Sequence, residues 1–503
     1  MNRTGDGRMR RRTFFKVAAG SAAAAALPWA HLVRAAAAGA AAAGQADAGR
    51  RPNIVFILAD DLGYADVGCY GQQRIKTPSI DRLAAEGMRF TDFYAGGCVC
   101  IPSRSCLMQG LHSGHTRHHG SNSHVPLEDS DLTVAEVLRD AGYTTACLGK
   151  WALGDDLQGP GAAHKQGWDY YFGEPNQTTV HSYYLPHMWE FDRDGSVSGL
   201  PPDKEMRKVP LPGNEGGGRK EYSHDKLAEK ALAYLDARAA GLATASPLRA
   251  GPKPFFLYVP FTIPHADFEA PSDEPYSRED WPETERIYAA MITRMDADIG
   301  RIMARLKERG LDENTLVIFT SDNGPTNGKD HKAAFFSSAG PLRGLKASLY
   351  EGGIRVPFVA RWPGKVAPGA TCRTALAFWD FLPTAAELAG AAAPANLDGI
   401  SFVPALLGRP QPEHEFLYWE SPRQRAVRVG RFKAILSGAD LKVEGLYDLA
   451  ADLGEQTDVA SAHADIAQKA RAFALAAGSR PAEPALPDAA PRQTKPKAKA
   501  EKN

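Results

Sequence analysis

Cysteine is sparse in this chain: six in 503 residues, at positions 69, 98, 100, 106, 147 and 372. So few cannot staple a fold of this length, which excludes a disulfide scaffold and leaves stability to a hydrophobic core. Neither sign of charge is in excess, since Lys+Arg and Asp+Glu each number 59. A net charge of zero removes any bulk attraction to nucleic acid or to an anionic membrane, although a local basic pocket stays open. Beyond the N-terminal segment no apolar run reaches the ~20 residues that cross a bilayer, and there is no internal repeat. What is present is ordinary for a globular protein: 44% hydrophobic and 23% charged residues. The length suits one large α/β domain with a smaller one.

The N-terminus reads as a targeting segment over residues 1–43. Arg10, Arg11 and Arg12 precede Thr13, Phe14, Phe15 and Lys16, and a weakly apolar Ala-rich run follows, with small residues at Ala41–Ala43. A basic start, an apolar stretch and small residues make a signal peptide. The paired arginines before Phe-Phe-Lys resemble the twin-arginine export signal. The competing reading is a basic tail before a membrane anchor. Ala, Gly and Pro28 would make a poor spanning helix, so no stable membrane insertion is expected. The expectation is a soluble periplasmic or secreted protein carried by the twin-arginine machinery. That route moves folded proteins, so any cysteine chemistry would precede export. Residues 479–503, rich in Pro, Ala and Lys, read as a disordered tail.

From Arg51 onward short β-branched runs alternate with helical patterns. NIVFILA (Asn53–Ala59), Thr144–Leu148, Phe255–Phe261 and Thr315–Thr320 predict buried strands; Pro78–Glu86, Leu132–Asp140 and Glu283–Arg309 predict helices. Alternation of this kind predicts a mostly parallel sheet between helices over residues 51–400. Residues 401–478 change character. FLYWE, RAVRVGRFKAIL and GLYDL predict a small antiparallel sheet, with a helix near Asp465–Leu475.

Two of the buried runs end in polar pairs, Asp60–Asp61 and Asp322–Asn323. Ligands in open α/β sheets bind beyond the carboxyl ends of the strands. Three carboxylates and an amide gathered there would repel one another without a cation, and oxygen-only ligands suit Ca2+ or Mg2+. Each pair taken alone is equally a turn or cap signal. Cys100-Ile101-Pro102-Ser103-Arg104 predicts a helix from Pro102 and Ser103 to Gly110, with Cys100 at its N-terminus. There it is either a low-pKa nucleophile or a buried structural thiol.

With these motifs in place, the chain resembles the formylglycine-dependent type I sulfatases, arylsulfatase-like members of the alkaline phosphatase superfamily. The similarity runs from about Pro52 to Ala460. It includes ILADDLGYADVGCYG, C-x-P-S-R, GLHSGHT, LGKW, PFFLYVPFTIPHA, VIFTSDNGP, LRGLKASLYEGGIRVPFVARWPG and GLYDLAADLGEQTDVA. The resemblance implies that Asp60, Asp61, Asp322, Asn323 and the modified Cys100 hold Ca2+ in preference to Mg2+. It implies that a formylglycine-generating enzyme oxidises Cys100, and that one hydroxyl of the hydrate attacks sulfur while the other later expels sulfate. Asp322 stands where the family's nucleophile-activating carboxylate stands. Arg104 would steady the hydrate, Lys150 and Lys346 would bind sulfate oxygens, and His265 with Lys346 would protonate the leaving group. The implied substrate is a small-molecule or saccharide sulfate monoester.

Three departures stand out. Relatives read G-K-W-H-L-G where this chain has Gly149-Lys150-Trp151-Ala152-Leu153-Gly154, losing a histidine that assists sulfate expulsion. His181 is the candidate substitute, against a substrate contact or a surface histidine. Gln109-Gly110-Leu111 replaces the usual Thr-Gly-Arg. His112, His115, His118, His119 and His124 match no standard zinc spacing and read as loop residues at the pocket mouth. Specificity loops are expected in Gly159–Pro202 and Pro271–Pro282, where Tyr183, Tyr184 and Trp189 would either stack on a substrate ring or pack the loop. Two alternative functions stay open: a phosphodiester or phosphonate monoester hydrolase on the same scaffold, and a catalytically silent sulfate-ester-binding protein.

Overall fold

The run NIVFILA is the axis of the main sheet. In a computed structural model that describes residues 50–118, 120, 125–243, 253–328 and 330–478, its strand β1 (Asn53–Ala59) is buried at every position. The other strands are β2 (Met88–Phe90), β3 (Phe93–Tyr94), β4 (Thr144–Leu148), β5 (Tyr170–Gly173), β6 (His187–Asp192), β7 (Arg207–Pro210) and β8 (Phe255–Pro260). After them come β9 (Thr315–Ser321), β10 (Phe358–Arg361), β11 (Ala370–Cys372), β12 (Leu376–Ala377), β13 (Leu417–Glu420), β14 (Gln424–Val429), β15 (Phe432–Ser437) and β16 (Lys442–Asp448). Ten of them form one sheet in the order β11-β2-β10-β9-β1-β8-β4-β5-β6-β7. The central block β9-β1-β8-β4-β5 is parallel; β10 and β6 run antiparallel to it at its flanks, and β7 pairs antiparallel with β6 and so returns to the direction of the block.

Side chains alternate across the pleat, so β1 feeds two cores. Val55 and Ile57 pack with residues of the helices Pro78–Ala85, Ser223–Ala243 and Glu283–Glu308. Ile54, Phe56 and Leu58 face the other way, towards Cys100–Gln109, Val134–Asp140 and Phe381–Ala389. This is a parallel-centred mixed sheet sandwiched by helices, as expected. The helix Ser223–Ala243 was not anticipated. Its buried stripe (Leu227, Ala228, Ala231, Leu232, Tyr234, Leu235) has weak contrast with the opposite face, because alanines such as Ala233 and Ala240 are exposed there. Arg294 on the neighbouring helix pairs with its Asp225 at 2.6 Å.

The second sheet has the order β13-β14-β15-β16 and is antiparallel throughout. One face carries the helix Ala464–Ala477. The other packs Leu417, Trp419 and Ile435 on Tyr94, Cys106 and Trp379 of the main body. The six cysteines are all free thiols. No helix among the described residues is long and apolar enough to cross a membrane. The expected targeting segment and C-terminal tail lie outside the described residues.

Candidate active site

Four neighbouring parallel strands deliver the site from their carboxyl ends. The register pairs Ala59 of β1 with Ser321 of β9, which brings Asp60–Asp61 beside Asp322–Asn323. Asp322 N donates to Ala59 O at 3.1 Å, and Asp61 N donates to Asp322 Oδ1 at 3.1 Å. Beyond β8 the chain turns through Thr262 to His265, and beyond β4 it passes Gly149 to Lys150. Gly149 has φ 141°, and a Cβ there would sit 2.0 Å from Pro260 O. Only glycine permits this approach, and it lets Lys150 N donate to the same Pro260 O at 2.9 Å.

The helix Cys100–Gln109 begins at Cys100 itself, two residues earlier than Pro102, with Val99 as its N-cap. All ten of its residues are buried. Cys100 Sγ lies 3.3 Å from Asp60 Oδ1, 3.9 Å from Asp61 Oδ1 and 3.5 Å from Lys346 Nζ. One turn on, Arg104 donates through Nε and Nη2 to Asp322 Oδ2 at 3.1 and 2.8 Å, and through Nη1 to Lys150 O at 3.0 Å. Lys150 Nζ reaches Asp60 Oδ2 at 2.7 Å, and Lys346 Nζ reaches Asp61 Oδ2 at 2.7 Å. Three carboxylates are thus met by three basic side chains in a site where Asp60, Asp322 and Lys150 have no exposure.

The two carboxylates nearest Arg104 separate. Burial raises Asp60, but Lys150, His265 and Arg104 outweigh it and hold the acid well below the usual carboxylate range. Burial, then the Asp60 charge, push Asp322 up to about 6 against Arg104. Burial also works against a charged Lys346, yet Cys100 and the carboxylates of Asp61 and Asp60 hold its pKa above that of a free lysine.

His265 accepts from Lys346 Nζ through Nε2 at 3.1 Å, while its Nδ1 faces the carbonyl of Ala266. That pattern puts the ring proton on Nδ1. Burial pushes its pKa down. His181, in a short turn between β5 and β6, belongs to the same cluster. Its Nε2 is 3.2 Å from Lys150 Nζ and its ring stacks on His265. Burial first, then Lys150, push its pKa down to about 2. The catalytic and metal-ligating candidates named from sequence therefore lie in one cluster. Ala152 is buried with φ 62°, and its methyl carries no proton chemistry.

Asn323 tests the fit of a metal. Its Nδ2 donates to Asp61 Oδ1 at 2.8 Å and Gly324 O at 2.9 Å, but its Oδ1 is buried without a hydrogen-bond partner. A buried carbonyl oxygen left unpaired among carboxylates fits a hard cation. Asp60, Asp61, Cys100 and His265 also bring ligand atoms within 4.8 Å of one another.

The histidine-rich stretch needs correction. His112 and His118 do not line a pocket mouth; both are buried. His112 stacks on His115 at 4.1 Å and packs against Tyr418 of β13, and His115 pairs with Asp398 at 2.9 Å. His112, His115 and Asp398 come close enough to suggest a metal centre. However, His112 Nδ1 accepts from Gly114 N at 3.2 Å, which leaves the ring proton on the Nε2 that faces Asp398. With Nδ1 taken by Gly114 N and Nε2 protonated 3.7 Å from Asp398 Oδ2, His112 offers no lone pair to a metal. His118 accepts or donates at Ser105 Oγ, 2.9 Å away, beneath the Cys100 helix. Gln109 joins the same knot by accepting from Ser105 Oγ at 3.0 Å. His119 and His124 lie outside the described residues.

Of the two readings of Tyr183, ring stacking on substrate or loop packing, the structure selects loop packing. The ring is fully buried, and its hydroxyl lies 2.9 Å from Thr262 O and 2.6 Å from His265 O. It pins the His265 turn and is not free to stack on substrate. The one available signal was an aromatic residue two positions from His181. Tyr184 is covered by Arg219 at 4.2 Å and Trp189 by Lys208 at 5.2 Å.

Comparison with known proteins agrees with this geometry. The family model described as sulfatase matches residues 52–391, and one described as N-sulphoglucosamine sulphohydrolase, C-terminal, matches residues 345–472. The chain belongs to the sulfatase family. It is a type I sulfatase of the alkaline phosphatase superfamily, and so a sulfuric ester hydrolase. It is similar to arylsulfatase A of Homo sapiens, with 35% identity over 410 residues, 76% of this chain and 75% of that protein. It is 32% identical over 436 residues to N-acetylgalactosamine-6-sulfatase of Canis lupus familiaris, covering 82% and 76% of the two chains. Among solved structures, Ps i-CgsB in complex with k-i-k-neocarrahexaose superposes with a TM-score of 0.68 at 27% identity, covering 85% of the enzyme and 93% of that chain.

Proposed function

We propose that this sulfatase cleaves sulfate monoesters, of saccharides or of aryl alcohols, with formylglycine made from Cys100 as nucleophile and with Ca2+ at Asp60, Asp61, Asp322, Asn323 and residue 100. The observation that carries the reading is the seat of Cys100. Its sulfur lies in the first turn of a buried helix, 3.3 Å from Asp60 Oδ1 and 3.5 Å from Lys346 Nζ. Burial first, then the Asp322 and Asp60 charges, push the thiol far above its ordinary range. A thiol held protonated is a poor nucleophile at neutral pH, so the position makes chemical sense once the sulfur is replaced by an aldehyde hydrate. When bound, Ca2+ would supply the positive charge that lets a nucleophile and an anionic ester approach the carboxylates together.

The chain's own groups divide the remaining work. Lys150 and Lys346 exchange a carboxylate contact for a sulfate oxygen, and Arg104 holds Asp322 in place from behind. Lys346, with His265 Nε2 against it, protonates the leaving oxygen. His181 stands beside Lys150, its Nε2 3.2 Å from Nζ, and is the imidazole placed to accept the proton released when sulfate is expelled, the task for which Ala152 has no group. Preorganised donors around a dry site each contribute on the order of 3 kcal/mol to such a step. Two relatives support saccharide substrates: one is an N-acetylgalactosamine-6-sulfatase, and another is in complex with a neocarrahexaose. Maturation by a formylglycine-generating enzyme and export through the twin-arginine machinery to the periplasm or beyond belong to the same proposal.

The test is a mass spectrum of the Cys100 peptide from protein co-produced with a formylglycine-generating enzyme, alongside turnover of 4-nitrophenyl sulfate and bis(4-nitrophenyl) phosphate. The reading expects an aldehyde at residue 100 and preference for the sulfate. Preference for the diester would make the enzyme a phosphodiesterase, and a persistent thiol without turnover would make it a silent binding protein.

A further inference from the structure

Lys346 sits on an irregular segment, Arg343 to Glu351, which has short-range ties of its own, such as Ser348 N to Leu345 O at 3.0 Å, and is anchored from outside as well. The anchors come from the second sheet. Arg343 Nη1 donates to Glu455 O at 2.7 Å, and Glu351 N donates to Glu455 Oε2 at 2.7 Å. One residue thus grips both ends of the segment. Glu455 lies just after β16, at a left-handed φ of 51° in the turn closed by Glu455 N to Asp452 O. Lys433 of β15 lies between the two acids, 2.9 Å from Glu351 Oε1 and 3.0 Å from Glu455 Oε1. Lys433, Glu351 and Glu455 have no exposure at all. Glu351 is further held by Tyr94 OH at 2.7 Å and Arg355 Nη1 at 3.1 Å.

The segment's other ties run straight to the site. Lys346 N donates to Pro325 O at 2.8 Å, two residues from the metal-set Asn323. Ala347 N donates to Cys98 O at 2.8 Å, two residues before Cys100. Gly352 N donates to Arg343 O at 2.7 Å and closes the loop on itself. Lys346 Nζ is therefore at the tip of a loop whose two ends are fixed by a buried charge cluster of the C-terminal sheet.

We infer that the second sheet is a positioning element of the catalytic centre: Glu455, locked by Lys433, clamps the Arg343–Glu351 segment and fixes the ammonium of Lys346. This rests on the reading of Lys346 as leaving-group acid. A buried cluster with a lysine ammonium set between two acids favours one geometry, and a displacement of about 1 Å in a proton donor costs up to about 100-fold in rate. The loss should fall on substrates that need the proton. An aryl sulfate with an acidic phenol leaves unaided, whereas an alkyl or sugar sulfate does not.

The experiment measures kcat/KM for a series of sulfate esters of rising leaving-group pKa, with the wild type, Glu455→Gln, Arg343→Gln and Lys346→Met. Circular dichroism confirms folding at the assay temperature. Glu455→Gln and Arg343→Gln are expected to steepen the leaving-group dependence, losing about 10- to 100-fold with alkyl sulfates and much less with 4-nitrophenyl sulfate. In the Lys346→Met background, either substitution should cost nothing further with alkyl sulfates, because the group it positions is gone. If Glu455→Gln does not fold, Arg343→Gln decides alone, since it removes the grip on Glu455 O without altering the buried charges. Equal losses across the series, or full additivity with Lys346→Met, would overturn the inference. A flat leaving-group dependence for Lys346→Met itself would instead overturn the role given to Lys346.

Discussion

The ring of His181 lies flat on that of His265, with centroids 3.6 Å apart and planes 8° from parallel. The two residues stand 84 positions apart and reach the stack from different strands. Their edges serve different lysines: His181 Nε2 faces Lys150 and His265 Nε2 faces Lys346.

His181→Ala should therefore lower kcat by about 10²- to 10⁴-fold, the usual worth of a general base, with a smaller change in KM. Pre-steady-state kinetics should show a burst of alcohol release, because the first half-reaction survives. The absence of a burst, with KM raised instead, would make His181 a substrate contact. Its pH signature has a definite sign. The folded-state pKa is depressed to about 2, so below its ordinary value of 6.5 the unfolded chain binds a proton that the folded protein refuses. Stability linked to His181 is full above 6.5 and declines as pH falls below it. The melting temperature of His181→Ala should show a weaker acid dependence between pH 6.5 and 4.

Removing a divalent cation should loosen the strand ends that hold Asp60 and Asp322. Dialysis against a chelator is expected to abolish turnover and lower the melting temperature, and added Ca2+ should restore both. At 100-fold excess over its dissociation constant, a ligand adds about 2.7 kcal/mol. Asn323→Leu, which removes the buried unpaired Oδ1, should raise the Ca2+ concentration needed for half-recovery at least 10-fold. Equal recovery by the variant and the wild type would place the ion elsewhere.

Gly149→Ala should fail for a steric reason. The new Cβ would lie 2.0 Å from Pro260 O at a φ of 141°. The ends of β4 and β8 would have to separate, moving Lys150 from Asp60. A destabilisation of about 1–3 kcal/mol is expected, together with loss of activity, measured by urea denaturation and steady-state assay. A variant with wild-type midpoint and rate would show that the approach relaxes freely.

Glu351 gives an acid-stability prediction independent of catalysis. Burial opposes its ionisation, but Lys433, Arg355 and Arg428 depress it to about 2 from an ordinary 4.5. Its contribution is present above pH 4.5 and is lost as pH falls towards 2. Lys433→Met strands Glu351 and Glu455 together and should cost about 3–5 kcal/mol at neutral pH. It should also flatten the acid limb of stability, because Glu351 no longer resists protonation. Chemical denaturation at pH 3, 5 and 7 reads both effects.

The sequence by itself determined the architecture and most of the site. Alternating buried runs and helical stripes specify a parallel sheet between helices, and a strand that ends in Asp-Asp or Asp-Asn must present those carboxylates at its carboxyl edge. Local pattern suffices there, because the pleat and the helical period are local properties. It could not reveal the helix Ser223–Ala243, whose alanines fall on both faces and blur the stripe, nor the burial of Tyr183, which depends on two carbonyls some 80 residues away. Tertiary structure alone decided which cation meets which carboxylate: Lys150 on Asp60, Lys346 on Asp61, Arg104 on Asp322. It also decided that His181 joins the cluster and that Glu455, 109 residues beyond Lys346, grips the loop that carries it. Contacts at such separations are set by strand order and by the packing of one sheet on another. Neither leaves a periodic trace in the residues that make them.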